Sequence, residues 1–222
     1  MSLPSLADDF QRRFERTMAA REKALAASRR SIRCSANAIR AIHRGELDHA
    51  HALMDESREA IRSGAEAVRE AHPEVYYAGF LQDAQKEYAE ARVTEAIVTG
   101  AEIPSPDDLG VELAPFLNGM AESIGEGRRA ILDLLRRGVV AESERILSLM
   151  EDVYHVLVSM DFPDAVTANL RRSTDVARSI MERTRGDLSV ALIQRNLQEA
   201  LERHAEGLRG EVTREPGPAE RS

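Results

Sequence analysis

The sequence predicts an all-α protein, an antiparallel bundle of about seven helices joined by short turns. Three observations predict it. Residues of high helix propensity (Ala, Leu, Arg and Glu) dominate throughout. No segment shows the apolar–polar alternation of a half-buried strand. Proline and glycine are sparse and fall mostly where one helix would hand over to the next. With aromatics at 4% and no tryptophan, the core must be built from Leu, Ile, Val, Ala and Met. A chain of 222 residues is long enough to bury one.

The first helix is expected over residues 6–43; Arg44 complements its C-terminal dipole and Gly45 stops it. A second is expected over 47–71, closed at His72-Pro73 because the residue before proline resists the α region. A third follows over 74–99 and ends at Gly100. Residues 101–110, with Pro104 and Pro106, form the clearest loop. A fourth helix covers 113–137, stopped by Gly138, and a fifth covers 141–160. Residues 161–164 are a joint, with Asp164 suited to cap the next helix. That sixth helix covers 165–185, and Gly186-Asp187 is expected to kink or break it before a last amphipathic stretch over 188–208. Residues 1–209 are read as one all-α domain. Residues 210–222, polar and containing Pro216 and Pro218, are read as a disordered tail.

A single cysteine, Cys34, excludes an internal disulfide and a cysteine-based zinc site, which fits a reducing compartment. Met1-Ser2-Leu3-Pro4 runs straight into charged residues, without the apolar run of a signal peptide. No apolar run of about 18 residues is present, so a cytoplasmic protein without a membrane partner is expected. The net charge of −8, taken alone, argues against a bulk nucleic-acid binder.

That average hides a local asymmetry. Between Glu22 and Glu46 there is no acidic residue, while Lys23, Arg29, Arg30, Arg33, Arg40 and Arg44 all fall there. At about 100° per residue, Arg29, Arg33, Arg40 and Arg44 lie within roughly 60° of one another. Leu25, Ile32, Ile39 and Ile42 fall on a different arc and can face the core. Arginine presents a planar, permanently charged fork that suits phosphate, and such a row can track a nucleic-acid backbone. The same row also fits a solvated face whose arginines pair with acids on a neighbouring helix. Scarce aromatics argue against extensive base stacking.

Two carboxylate pairs stand out. Glu87 and Glu90 are spaced i, i+3 and share a helix face; Glu122 and Glu126 are spaced i, i+4 and share another. If the two helices pack together, four carboxylates converge. Such a cluster is costly unless protonated or filled by a cation, and hard ions such as Mg²⁺ or Mn²⁺ take carboxylate oxygens. Gly119, Gly125 and Gly127 are unfavourable inside a helix and suggest close backbone approach there. Acidic helices also carry such pairs without any metal. Glu46 and His49 give one Glu-x-x-His, but a di-iron bundle needs a second, which is missing. His49 and His51 are read as exposed at a helix start, His155 as a satisfied buried or interface histidine. Cys34 is read as a packing residue, although nearby arginines can lower a thiol pKa.

The order of four stretches resembles the translin family, over nearly all of residues 25–190. The stretches are Arg30-Ser31-Ile32-Arg33 running to His43-Arg44; Gln85-Lys86-Glu87-Tyr88-Ala89-Glu90-Ala91; Leu117-Asn118-Gly119-Met120-Ala121-Glu122 running to Gly125-Glu126; and Arg178 to Asp187-Leu188-Ser189. They are most similar to the nuclease-type subunit, translin-associated factor X, and to homomeric archaeal members. The resemblance implies a helical bundle assembled into a hollow homo-oligomer of roughly six to eight subunits. It implies single-stranded RNA or DNA as the ligand, bound inside. For nuclease-type members it implies endonucleolytic cleavage of single-stranded RNA with Mg²⁺ or Mn²⁺. Carried over residue by residue, the catalytic and metal-holding set is Glu87, Glu90, Glu122 and Glu126. The nucleic-acid-binding set, Arg29, Arg30, Arg33, Arg40 and Arg44, comes from the basic stripe itself. One departure matters: the nuclease-type subunit has Asp where this chain has Glu122, one methylene longer. A non-catalytic single-strand binder and a helical assembly protein without a nucleic-acid role stay open as alternatives.

Overall fold

The computed structural model describes residues 3–212 of the chain. Among these residues there is no strand, and the helices are α1 (Leu3–Arg44), α2 (Leu47–Glu66), α3 (Pro73–Tyr76), α4 (Phe80–Thr99), α5 (Pro106–Leu109), α6 (Leu113–Arg136), α7 (Val140–Val158), α8 (Asp164–Thr167) and α9 (Leu170–Val212). The predicted all-α bundle is therefore what forms. None of these helices is long and apolar enough to cross a membrane.

α1 and α2 make an antiparallel pair. Gly45, at φ +76°, turns the chain, and its N–H and that of Glu46 donate to the carbonyls of Ile42 and Ala41 at 2.9 Å each. This double bond pattern closes the helix end with a left-handed residue that only glycine adopts without strain. The seam between the helices is built from small side chains. Ser31 and Ser35 are fully buried on α1, and their hydroxyls lie 2.7 and 2.8 Å from that of Ser57 on α2. A Cβ on Gly64 would come within 2.9 Å of Ala27 Cβ. This corrects the expected core arc: Ile39 and Ile42 are buried, but Leu25 and Ile32 are only partly so.

α4 and α6 form the centre. At Gly119 a Cβ would collide with the carbonyl oxygen of Lys86 and lie 2.8 Å from the Glu90 nitrogen, so the two backbones touch there. At Gly127 it would lie 2.8 Å from Met150 Sδ, which lets α7 close on α6. Gly125 is different, with only Ile180 Cδ1 at 3.9 Å, so close packing does not explain it. Leu81, Val93, Ile97, Ile124, Ile131, Ile146, Met150 and Leu157 fill the interior as aliphatic side chains.

Several expected boundaries move. α2 stops at Glu66, short of the proline. The expected third helix is two, because Gly79 at φ +102° breaks it between α3 and α4. The loop 101–110 holds α5, fixed by reciprocal bonds between Ser105 and Asp108. Pro163, not Asp164, occupies the cap position of α8, and the left-handed Ala168 and Asn169 separate it from α9. α9 passes through Gly186 unbroken. An isolated glycine costs a helix only about 1 kcal/mol. Here the buried Thr184 and Leu188 and the 2.8 Å pair between Arg128 and Asp187 hold the turns on either side. Of the expected disordered tail, residues 210–212 are helical, and residues 213–222 lie outside the described residues.

Candidate metal centre

The backbone contact at Gly119 sets the two carboxylate pairs face to face. Glu87 and Glu90 project from α4, Glu122 and Glu126 from α6. Oxygens of Glu87, Glu90 and Glu122 all lie within 4.8 Å of one another, and they are the one such potential metal-holding group among the described residues. The Glu46/His49 spacing therefore builds no centre.

Glu126, the fourth residue of the predicted set, stands beside this group but is bonded to His43. Its Oε2 lies 2.5 Å from Nε2 of the buried His43 and 3.5 Å from Arg129 Nη1. The hydrogen bond to His43 holds the Glu126 carboxyl below its ordinary range, with Arg129 adding to the effect against the opposing pull of burial. Glu126 thus contributes charge to the cluster from one side.

Glu90 is the most perturbed member. Burial, and then the charges of Glu87, Glu122 and Glu126, push its pKa up to about 8. A carboxylate forced to keep its proton beside like charges signals a place where positive charge is wanted. A hard divalent cation fits this all-oxygen set.

Lys86 already supplies part of that charge. Its Nζ donates to both oxygens of Glu122, at 2.8 and 2.7 Å, and lies 3.4 Å from Glu87 Oε1. Burial alone would lower its pKa, but its bonds to Glu122 and Glu87 raise it overall. Sequence reasoning singled out neither Lys86 nor His43 as part of the site. Lys86 sits next to Glu87 in one of the quoted stretches, a usable signal. The pairing of His43 with Glu126 spans 83 residues and leaves no local trace.

All five arginines of the basic stripe are exposed on α1. Arg30 pairs with Glu56 of α2 at 3.2 Å, and Arg44 makes two bonds to Glu46 in the adjoining turn, at 2.7 and 2.6 Å. Arg40 donates to Asn37 at 2.7 Å. Arg29 and Arg33 make no ion pair among the described residues. Most of the stripe is therefore not spent on a neighbouring acidic helix. Arg40 lies about 60° around α1 from His43, the residue that pairs with Glu126.

His155 is exposed, not buried: Val153 and Leu157 take the inward face and leave it outside. His49 and His51 are both exposed, as expected, and His51 pairs with Glu95 of α4. Cys34 is buried, and burial, with Glu56 beside it, raises its thiol pKa despite Arg30 and Arg33. It packs, as expected, and is not activated. A cleft of about 510 Å³, lined among others by Arg58, Arg62, Arg69, Tyr76 and Tyr88, contains none of the clustered carboxylates.

The chain is similar to known proteins. The chain is 32% identical over 194 residues to an uncharacterized protein of Methanocaldococcus jannaschii, covering 85% of this chain and 83% of that one. The solved structures of AfC3PO alone and of its complex with duplex RNA each superpose with a TM-score of 0.77 at 34% identity. They cover 85% of this chain and 98% and 97% of theirs. AfC3PO is a translin-family protein. The chain belongs to the translin family. Apo-NeC3PO has the same fold at 20% identity, with a TM-score of 0.76 over 86% of this chain and 99% of that one. No family model matches the chain. In this translin-family bundle the carboxylate cluster lies where α4 and α6 touch, and the basic stripe lies on α1.

Proposed function

We propose that the chain is a nucleic-acid-binding protein of translin type that cleaves single-stranded RNA internally, with Mg²⁺ or Mn²⁺ held by Glu87, Glu90 and Glu122. The observation that carries this reading is the convergence of those three carboxylates, one of them forced to keep its proton. The relative solved with duplex RNA supports RNA as the ligand class.

A divalent ion held there would lower the pKa of a water and neutralise charge on phosphoryl oxygens. The chain's own residues do the rest. Glu90 would give up its proton on serving as a ligand. Glu126, kept ionised by His43, adds negative charge behind the cluster. Arg29, Arg33 and Arg40 take phosphate oxygens of the backbone and so position the strand. Assembly into a hollow homo-oligomer gives a chain of net charge −8 a basic interior in which a polyanion can sit. Exposed apolar residues on α1 (Leu3, Phe10, Phe14, Met18) and on the free end of α9 (Val190, Ile193, Leu197, Leu201) support such assembly.

A second reading, binding without cleavage, is favoured by one observation: Lys86 already pairs with Glu122. Incubation with labelled single-stranded and duplex RNA, with and without Mg²⁺, decides between them. Metal-dependent internal cleavage that disappears in Glu87→Gln/Glu90→Gln, with binding retained, is the expected result. Equal cleavage by wild type and variant overturns the proposed centre; binding without cleavage in both leaves the second reading.

A further inference from the structure

The carboxylate cluster contains a cation of its own. Lys86 stands one residue before Glu87 on α4, and its side chain is 25% exposed. Its ammonium bridges the two helices, with both short bonds to Glu122 on α6 and a longer contact to Glu87 on its own helix. An ammonium is a compact point charge with three donors. Two of the three carboxylates that converge are thus partly neutralised by the chain itself. Arg129 and His43, the other positive or polar groups nearby, are engaged by Glu126 and leave Glu87 and Glu122 to Lys86.

We propose that Lys86 is an internal counterion that competes with a divalent cation for Glu122 and Glu87, and so sets the ion concentration at which the cluster fills. The inference rests on the metal reading above. Its physical basis is that the ammonium and a divalent ion seek the same oxygens and repel each other. Without an ion, Lys86 relieves the repulsion among three close carboxylates. When an ion binds, Lys86 must release Glu122, and its flexible four-carbon stem lets the ammonium swing into water. The two effects oppose each other. Removing the lysine weakens the empty fold and strengthens ion binding. A lysine with a merely structural role would weaken the fold with or without the ion and leave affinity where it was.

The test is Mn²⁺ binding to the full-length protein, read from the electron spin resonance signal of free Mn²⁺, for wild type, Lys86→Met and Lys86→Arg. Thermal midpoints in chelator and in excess Mn²⁺ accompany it. Lys86→Met should bind Mn²⁺ about tenfold more tightly, a modest factor because the lysine is partly solvated. Its midpoint should fall in chelator and recover with Mn²⁺. Lys86→Arg, which keeps the charge, should stay near wild type. If Lys86→Met does not fold, Lys86→Gln removes the same charge and should show the same tightening. Equal or weaker Mn²⁺ binding by the uncharged variants overturns the proposal while leaving the metal reading in place. Absence of binding in wild type and uncharged variants alike overturns the metal reading, and the proposal with it.

Discussion

Glu90 concentrates the site's electrostatics in one side chain. Its pKa, pushed up to about 8, means that the folded chain binds a proton there which the unfolded chain releases near the ordinary 4.5. For a raised carboxylate the sign is clear: stability from this group falls as pH rises from about 4.5 to about 8, because only the folded state must still be ionised. Glu90→Gln keeps the shape without the charge. It should be more stable than wild type at pH 7 by on the order of 2–3 kcal/mol, with a flatter stability profile between pH 5 and 8 in chelator. Urea denaturation at several pH values measures this, and an unchanged profile would contradict the assignment. The same proton links to the ion. Below about pH 8, Mn²⁺ binding should weaken about tenfold per unit, since one proton must leave for each ion bound.

At the scale of the helix, glycines do two different jobs. Gly119 is where α4 and α6 touch, and the Lys86 carbonyl and Glu90 nitrogen fill the space a Cβ would need. Gly119→Ala must push the helices apart, at a cost of about 1–3 kcal/mol. It should also weaken Mn²⁺ binding, because both carboxylate pairs ride on that contact. Gly186 is the opposite case, since nothing lies within 4 Å of its missing side chain and its φ is not positive. Gly186→Ala should stabilise the chain by about 0.5–1 kcal/mol through helix propensity and the unfolded state. Thermal unfolding of the two variants side by side tests both signs. If Gly119→Ala were neutral, the close approach of α4 and α6 would not be what assembles the site.

For the whole molecule, charge distribution matters more than net charge. A chain at −8 binds a polyanion only if its positive groups are gathered on one face, and the basic stripe of α1 holds five arginines, Arg29, Arg30, Arg33, Arg40 and Arg44. Double reversal, Arg33→Glu with Arg40→Glu, should lower RNA affinity at least tenfold at low salt. It should also flatten the dependence of log K on log salt, each lost phosphate contact removing about one unit of slope. Folding should be unaffected, since neither side chain is buried. Filter binding across a salt series is the measurement. An unchanged slope would move the binding surface away from α1.

The features the sequence determined by itself are local ones. Helix starts and stops follow from residues a few positions apart, such as Gly45, Gly100 and Gly138, each of which takes the left-handed conformation its place demands. The shared faces of Glu87 with Glu90 and of Glu122 with Glu126 follow from helical spacing alone, and Gly119 and Gly127 already marked close approach. Other features required the packed structure, because their energy comes from groups far apart in the chain. Nothing local says that Ser31, Ser35 and Ser57 form the α1–α2 seam while Leu25 and Ile32 stay at its edge. Nothing local says that Gly186 is carried through a helix held on both sides by buried contacts. The site shows the same division. The four glutamates were legible as two pairs, but packing decided that three converge while His43 claims the fourth and Lys86 already occupies part of the space between them. Charges only a few ångströms apart interact strongly or hardly at all depending on burial and direction, and both are set by how the helices meet.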